Sequence, residues 1–162
     1  MQAKTDAAGR PRIIFLQDLF DQWIGPGAAT VILPITDPYV AHHGALGSFA
    51  TAYIDDARHR AAVIRLLPPV SGIETVLDRD DACSRFELPP DRVGDLVVTA
   101  DRDHVVGTRR ADHDLSGLHG PLRSHGGLAE RRVPLLFNRP LQIEPGRPLR
   151  NFDAFWVALN AL

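Results

Sequence analysis

The residues best suited to chemistry in this chain are its histidines, seven among 162 residues. An imidazole can ligate a divalent cation or carry a proton near neutral pH, and spacing decides which. No His-x-x-x-His or Cys-x-x-Cys pair occurs, so the chain has no self-contained zinc motif. His42 and His43 are adjacent, and on an extended strand they face opposite sides. They cannot easily share one ion, although His43 could line a cleft. His59 falls on the charged face of a helix, where simple solvation is expected. "ADHDLSGLHG" (111–120) crowds Asp112, His113, Asp114 and His119 together. A hydrogen-bonded turn network is the first reading there and a metal site the second. His125 stands apart. "LRSHGGLAERRVPLLFNRP" (122–140) sets it between Ser124 and the pair Gly126-Gly127. The serine supplies a hydroxyl, and the glycines let the backbone come close to a bound group. Spacing alone leaves a ligand and an ordinary surface histidine both open.

Other chemistry is thinly represented. There is no Gly-x-Ser-x-Gly elbow, phosphate loop or dinucleotide fingerprint. "GALGSF" (44–49) has two glycines but no buried strand correctly placed before it. The single cysteine, Cys83, excludes an internal disulfide and a thiolate cluster. Its context, "DDACSRF", predicts a structural thiol on the inward face of a short helix. Eighteen basic and twenty acidic residues are mixed along the chain, for a net charge of −2, which gives no basic field for nucleic acid. No apolar run approaches the roughly 18 residues of a membrane span. The opening segment, "MQAKTDAAGRPR", has no hydrophobic signal core and reads as a surface loop that buries almost nothing. The expectation is a cytoplasmic protein without nucleic-acid or membrane partners.

The elements that must position these groups follow from periodicity. A chain of this length that is 44% apolar fits one domain or two small ones. Phe15, Leu16, Leu19, Phe20, Trp23 and Ile24 recur at helical spacing and Gly25 stops them. "TVILP" (30–34) reads as a short buried strand. "GSFATAYI" (47–54), "IETVL" (73–77) and "RVGDLVVTAD" (92–101) also read as strands. "DDARHRAAVIRLL" (55–67) is a helix ahead of Pro68-Pro69, and "DRDDACSRF" (78–86) a short one with Asp78 as its N-cap. Further pairing could come from 85–88 or from 104–106. "VPLLFNRPL" (133–141) predicts a strand. "NFDAFWVALNAL" (151–162) predicts a closing helix capped by Asn151 or Asp153. The alternation across 46–100 suggests a split βαβ, ferredoxin-like module inserted between two core strands, and the fold class is α/β. The polar, glycine-rich run from Arg102 to Gly127 is the long irregular segment where function is often found.

"LRSHGGLAERRVPLLFNRPL" resembles the carboxy-terminal signature of phosphonoacetate hydrolases of the alkaline phosphatase superfamily. "ILPITDPYVAHHGALGSFATAY" (32–53), "RVGDLVV" (92–98), "HDLSGL" (113–118) and "RNFDAFWVALN" (150–160) resemble the same family, in the right order over essentially the whole chain. The resemblance implies the rear part of an alkaline-phosphatase-like core carrying a small inserted α+β cap. It divides the chain into partial core (1–40), cap (41–107) and partial core with the Ser-His-Gly-Gly loop (108–162). It also implies hydrolysis of the carbon–phosphorus bond of phosphonoacetate, to acetate and phosphate, with two zinc ions and a threonine nucleophile. His125 maps onto the last metal ligand in chain order, with Ser124, Gly126, His113 and His43 as candidate lining residues. The family's nucleophile and other ligands have no counterpart here. Met1 resembles the methionine of an Asp-His-Gly-Met metal-binding turn, and "QAKTDAAGRP" resembles the polar segment that follows that turn. The chain is therefore expected to be a carboxy-terminal fragment, inactive alone, with an amino-terminal fragment as its complement. Other classes are a free-standing ferredoxin-like binding module and a phosphodiesterase or pyrophosphatase of the same superfamily.

Overall fold

The computed structural model describes residues 3–34, 46–144 and 146–161. Its elements are β1 (Ile13–Phe15), α1 (Leu16–Ile24), β2 (Ala29–Ile32), β3 (Phe49–Ile54), α2 (Ala57–Leu66), β4 (Ile73–Asp78), α3 (Arg79–Phe86), β5 (Leu96–Ala100), β6 (Val105–Gly107) and α4 (Asp153–Asn160). Single 3-10 turns lie at Pro90–Arg92, Arg110–Asp112 and Leu128–Glu130. The chain forms two compact units, Met1–Arg131 and Arg132–Leu162.

The first unit is mixed α/β. Four strands form a sheet in the order β2-β3-β5-β4, with every neighbouring pair antiparallel. β3 and β4 therefore run parallel, joined through α2, with β5 between them. Strand alternation gives the sheet two apolar faces. Ala50, Ala52, Ile54, Leu96 and Val98 pack with Phe20 of α1, Val63 of α2 and Leu67 just beyond it. On the other face Phe49, Leu77 and Val97 meet Ala82, Cys83 and Phe86 of α3. Cys83 thus packs as a partly buried apolar group, as its context predicts. β1 and β6 form a separate parallel pair. β2 lies before residue 41 yet joins the sheet of β3, while β6 lies before residue 108 yet pairs with β1. The pairings therefore cut across the division at 40 and 107.

Local chemistry sets the helix ends. The Asp78 carboxylate accepts from the Asp81 N–H at 2.9 Å, and α3 stops at Glu87 in the left-handed region with φ 56°. The Asp56 carboxylate caps α2 by accepting from the Arg58 N–H at 2.6 Å. Bonding to the Arg58 guanidinium, and then to that N–H, lowers the Asp56 pKa from 3.8 to about 2. The folded value lies below the unfolded one. The charged cap is therefore complete above 3.8 and is lost as pH falls through about 2. A carboxyl-carbon NMR titration is expected to give that low midpoint. A midpoint at the ordinary aspartate value would show that the cap is not formed in solution.

Gly94 is fixed by close approach. A Cβ there would lie 2.5 Å from the Ala52 carbonyl oxygen and 2.5 Å from Thr51 Oγ1. The Gly94 N–H donates to that same Thr51 hydroxyl at 2.8 Å. Gly94→Ala is expected to cost about 2 kcal/mol by overpacking, read as a lower urea midpoint at unchanged slope. An unchanged midpoint would mean that β3 gives way easily.

Several expectations need correction. Residues 133–141 form no strand. α4 is the only regular element described in their unit, so no ladder partner is present there, and Pro134 and Pro140 lack N–H donors. Residues 85–88 end a helix and form no strand, whereas 104–106 contributes to β6. The opening segment does bury surface: Ala3 is 2% exposed and packs with Leu46, Val105 and Leu122. Neither Asn151 nor Asp153 caps α4 in the predicted way. Asn151 accepts from the adjacent Phe152 N–H, and Asp153 reaches back to the Arg150 N–H. His59 is half-buried rather than solvated, and its Nδ1 is shielded without a hydrogen-bond partner. Among the described residues no helix is long and apolar enough to cross a membrane.

Candidate metal centre

His125 sits on a loop whose backbone is tied down while its side chain is exposed. The Ser48 N–H donates to the His125 carbonyl at 3.0 Å. The Ser124 hydroxyl donates to the Leu46 carbonyl at 2.6 Å. Upstream, the Ala3 N–H donates to the carbonyl of buried Leu122 at 3.0 Å. Gly126 takes φ 89°, a left-handed conformation that favours glycine, so the glycine after His125 serves the turn itself. The Gly127 N–H donates to the Glu130 carboxylate at 3.4 Å. Exposure and anchoring therefore coexist: the backbone that carries the imidazole is held while the ring stays exposed.

The anchor has its own support. Ser48 is fully buried, and its hydroxyl donates to the His104 carbonyl at 3.2 Å. The Ser48 carbonyl accepts from the Ala100 N–H at the end of β5. Gly47 exchanges two backbone bonds with Val106 of β6. Residues 46–48 thus link the four-stranded sheet, the parallel pair and the histidine loop. Composition gave no sign of this role. The glycine and serine of "GALGSF" were the available signal, and their use is structural.

His113 lies elsewhere in the same unit. The Thr108 N–H donates to its Nε2 at 2.9 Å, and the Thr108 hydroxyl lies 3.1 Å from that nitrogen. Nε2 is therefore an acceptor already engaged by backbone. The ring also tilts against Phe15 at 6.0 Å. Asp112 accepts from the Thr108 hydroxyl at 2.7 Å and from the Arg109 N–H at 3.2 Å. Those bonds, the hydroxyl first, hold its carboxyl below the ordinary range. A turn network accounts for this cluster. His119 is exposed. His43, like His42, lies outside the described residues. Ser124, His125 and Gly126 come together as one loop.

Among the described residues, no three His, Cys, Asp or Glu side chains come together as an ion would require. These residues alone do not fit two zinc ions. His125 is one anchored imidazole in search of companions.

The architecture is that of a mixed α/β protein bearing a histidine loop at the junction of two sheets. Relatives then specify the kind. Crystal structures of phosphonoacetate hydrolase from Sinorhizobium meliloti 1021, in complex with phosphonoformate and with phosphonoacetate, are each 53% identical to this chain with a TM-score of 0.86. Each match covers 99% of this chain and 39% of that one. A phosphonoacetate hydrolase from Penicillium oxalicum is 47% identical over 49 residues, 28% of this chain and 68% of that sequence. No family model matches. The chain belongs to the phosphonoacetate hydrolase family. It spans about two-fifths of the length of the solved relatives.

Proposed function

We propose that these 162 residues supply the carboxy-terminal part of a phosphonoacetate hydrolase, which cleaves the carbon–phosphorus bond of phosphonoacetate to acetate and phosphate once its other part is present. The observation that carries this reading is 53% identity over 99% of the chain to an enzyme crystallised with phosphonoacetate. His125 is the contribution to the metal centre: one imidazole on a pinned loop, with the remaining ligands and the nucleophile on residues outside this chain. Zinc is the metal we propose, since imidazole and carboxylate donors suit it. The four-stranded sheet with its helices is the small ferredoxin-like cap, and β2 belongs to it by pairing. β1, β6 and the histidine loop belong to the core. Cap and metal ligand then share one attachment, residues 46–48, through the backbone bonds of Gly47 and Ser48.

Co-expression tests this reading. The partner is the part of the Sinorhizobium enzyme outside the matched 39%. Phosphate release from phosphonoacetate is expected from the complex. His125→Ala is expected to lower it at least about 100-fold, because a direct ligand matters no less than the groups that orient ligands. His59→Ala, on α2, is expected to change it only slightly. Equal losses in well-folded complexes would show that the wrong histidine has been assigned.

A further inference from the structure

Residues 122–125 alternate in burial. Leu122 is buried, Arg123 exposed, Ser124 half-buried and His125 exposed. That is the period of extended chain, in which neighbouring side chains point to opposite sides. Leu122 packs inward with Ala3, Leu46 and Val105. Ser124 makes its bond on the same side, its hydroxyl donating to the Leu46 carbonyl at 2.6 Å. The Ser48 N–H returns a bond to the His125 carbonyl at 3.0 Å. The two bonds close a ring between residues 46–48 and 124–125, with one donor from each segment.

The receiving segment is fixed independently of this loop. Leu46 is buried. Gly47 exchanges bonds with Val106, and the Ser48 carbonyl accepts from the Ala100 N–H. The Ser48 hydroxyl reaches the His104 carbonyl. His104 is itself clamped: its Nδ1 lies 2.8 Å from the Asp101 carboxylate, and its ring lies so close over Gly72 that a Cβ there would clash with it. The Leu46 carbonyl is thus a fixed point, and a hydroxyl bonded to it gives residue 124 a fixed place.

Register is what that bond decides. A slip of one residue in an extended segment exchanges its two faces. In this loop the slip would turn His125 toward Leu46 and Ser124 outward. A hydroxyl has one proton to donate, and Ser124 gives it to Leu46. That separates Ser124 from a lining residue that donates to a substrate oxygen. We propose that Ser124 is a positioning residue: its hydroxyl fixes the register of the loop, presents His125 outward, and acts on the reaction only through His125. This rests on the reading above that His125 serves the active centre of a phosphonoacetate hydrolase.

Two measurements test it, and the first needs no activity. In the full 162-residue chain, Ser124→Ala is expected to speed exchange of the Ser48 amide, whose acceptor is the His125 carbonyl, by at least about 10-fold. The Val98 amide in β5 reports the sheet and is expected to keep its rate. Ser124→Thr keeps a hydroxyl and is expected to restore protection. If Ser124→Ala does not fold, Ser124→Cys, with its weak donor, takes its place. Unchanged Ser48 exchange in the folded variant would overturn the proposal.

The second is a double-mutant cycle in the complex with the same Sinorhizobium segment. Ser124→Ala is expected to lower kcat by about 10- to 100-fold and to change KM by less than about 2-fold. Ser124→Thr is expected to recover most of the loss. Added to His125→Ala, the same change is expected to cost nothing more, since a positioning residue then has nothing to position. An unchanged kcat would overturn the proposal. So would a raised KM or a further loss on His125→Ala, either of which would mean that Ser124 touches substrate. An inactive unmodified complex would remove the proposed reaction, while faster Ser48 exchange in Ser124→Ala would still establish Ser124 as the residue that orients His125.

Discussion

The purified 162-residue chain is expected to release no phosphate from phosphonoacetate, with or without added zinc. Phosphoryl transfer is catalysed by positioned charge, and two metal ions can clamp the attacking and leaving atoms together. The described residues bring no three metal-type side chains together. His113 cannot readily join His125, because its Nε2 already accepts from the Thr108 N–H. A single exposed imidazole binds zinc weakly, so calorimetry is expected to show no tight site of defined stoichiometry. The effect is all or none against the complemented enzyme, which makes it the largest change foreseen for this molecule. Zinc-dependent turnover by the homogeneous chain, lost on His125→Ala, would sink the claim. A tight site lost on that substitution without turnover would point to a local centre on the histidine loop instead.

What the sequence disclosed was what is local. The stripe Leu16, Leu19, Phe20, Trp23 declares α1, because burial at helical spacing is a property of one segment. Asp78 reads as an N-cap for the same reason, its donor, the Asp81 N–H, lying three residues away. Long-range choices were hidden. The strand order β2-β3-β5-β4 depends on pairings across the chain, and β1 is too short to separate from the helical pattern that follows it. Residues 133–137 carry the pattern of a strand, but a pattern cannot supply a partner, and Leu136 stays 89% exposed. At the site, the histidine and its glycines were legible as a loop. Its anchor was not: Ser124 binds the carbonyl of Leu46, 78 residues away, through a hydroxyl that no spacing rule singles out. Family resemblance suggested the metal role proposed for His125, which the residues alone left open.

Gln17 is the hidden residue whose replacement is expected to harm the fold most. It sits on α1 and is 3% exposed, and a helical pattern lists it only as a polar interruption. Its side-chain amide lies along the edge of β2 like a short strand. Nε2 donates to the Ala29 carbonyl at 3.0 Å, and Oε1 accepts from the Val31 N–H at 2.8 Å. Nε2 also donates to Asp21, which pairs with Arg109 at 2.9 Å. Edge strands need their unpaired groups covered, and here one amide does so from a packed helix. Gln17→Leu keeps the volume and removes all three bonds, leaving a buried N–H and a buried C=O without partners at about 1–3 kcal/mol each. The expected loss is about 3 kcal/mol, seen as an earlier urea midpoint. Gln17→Glu is expected to fail in a telling way, since it keeps the acceptor for Val31 but turns the donor toward Ala29 and Asp21 into a charge beside a carboxylate. Faster exchange of the Val31 amide in Gln17→Leu would locate the damage at β2. An unchanged Val31 amide and midpoint would mean that the edge is covered by something other than Gln17.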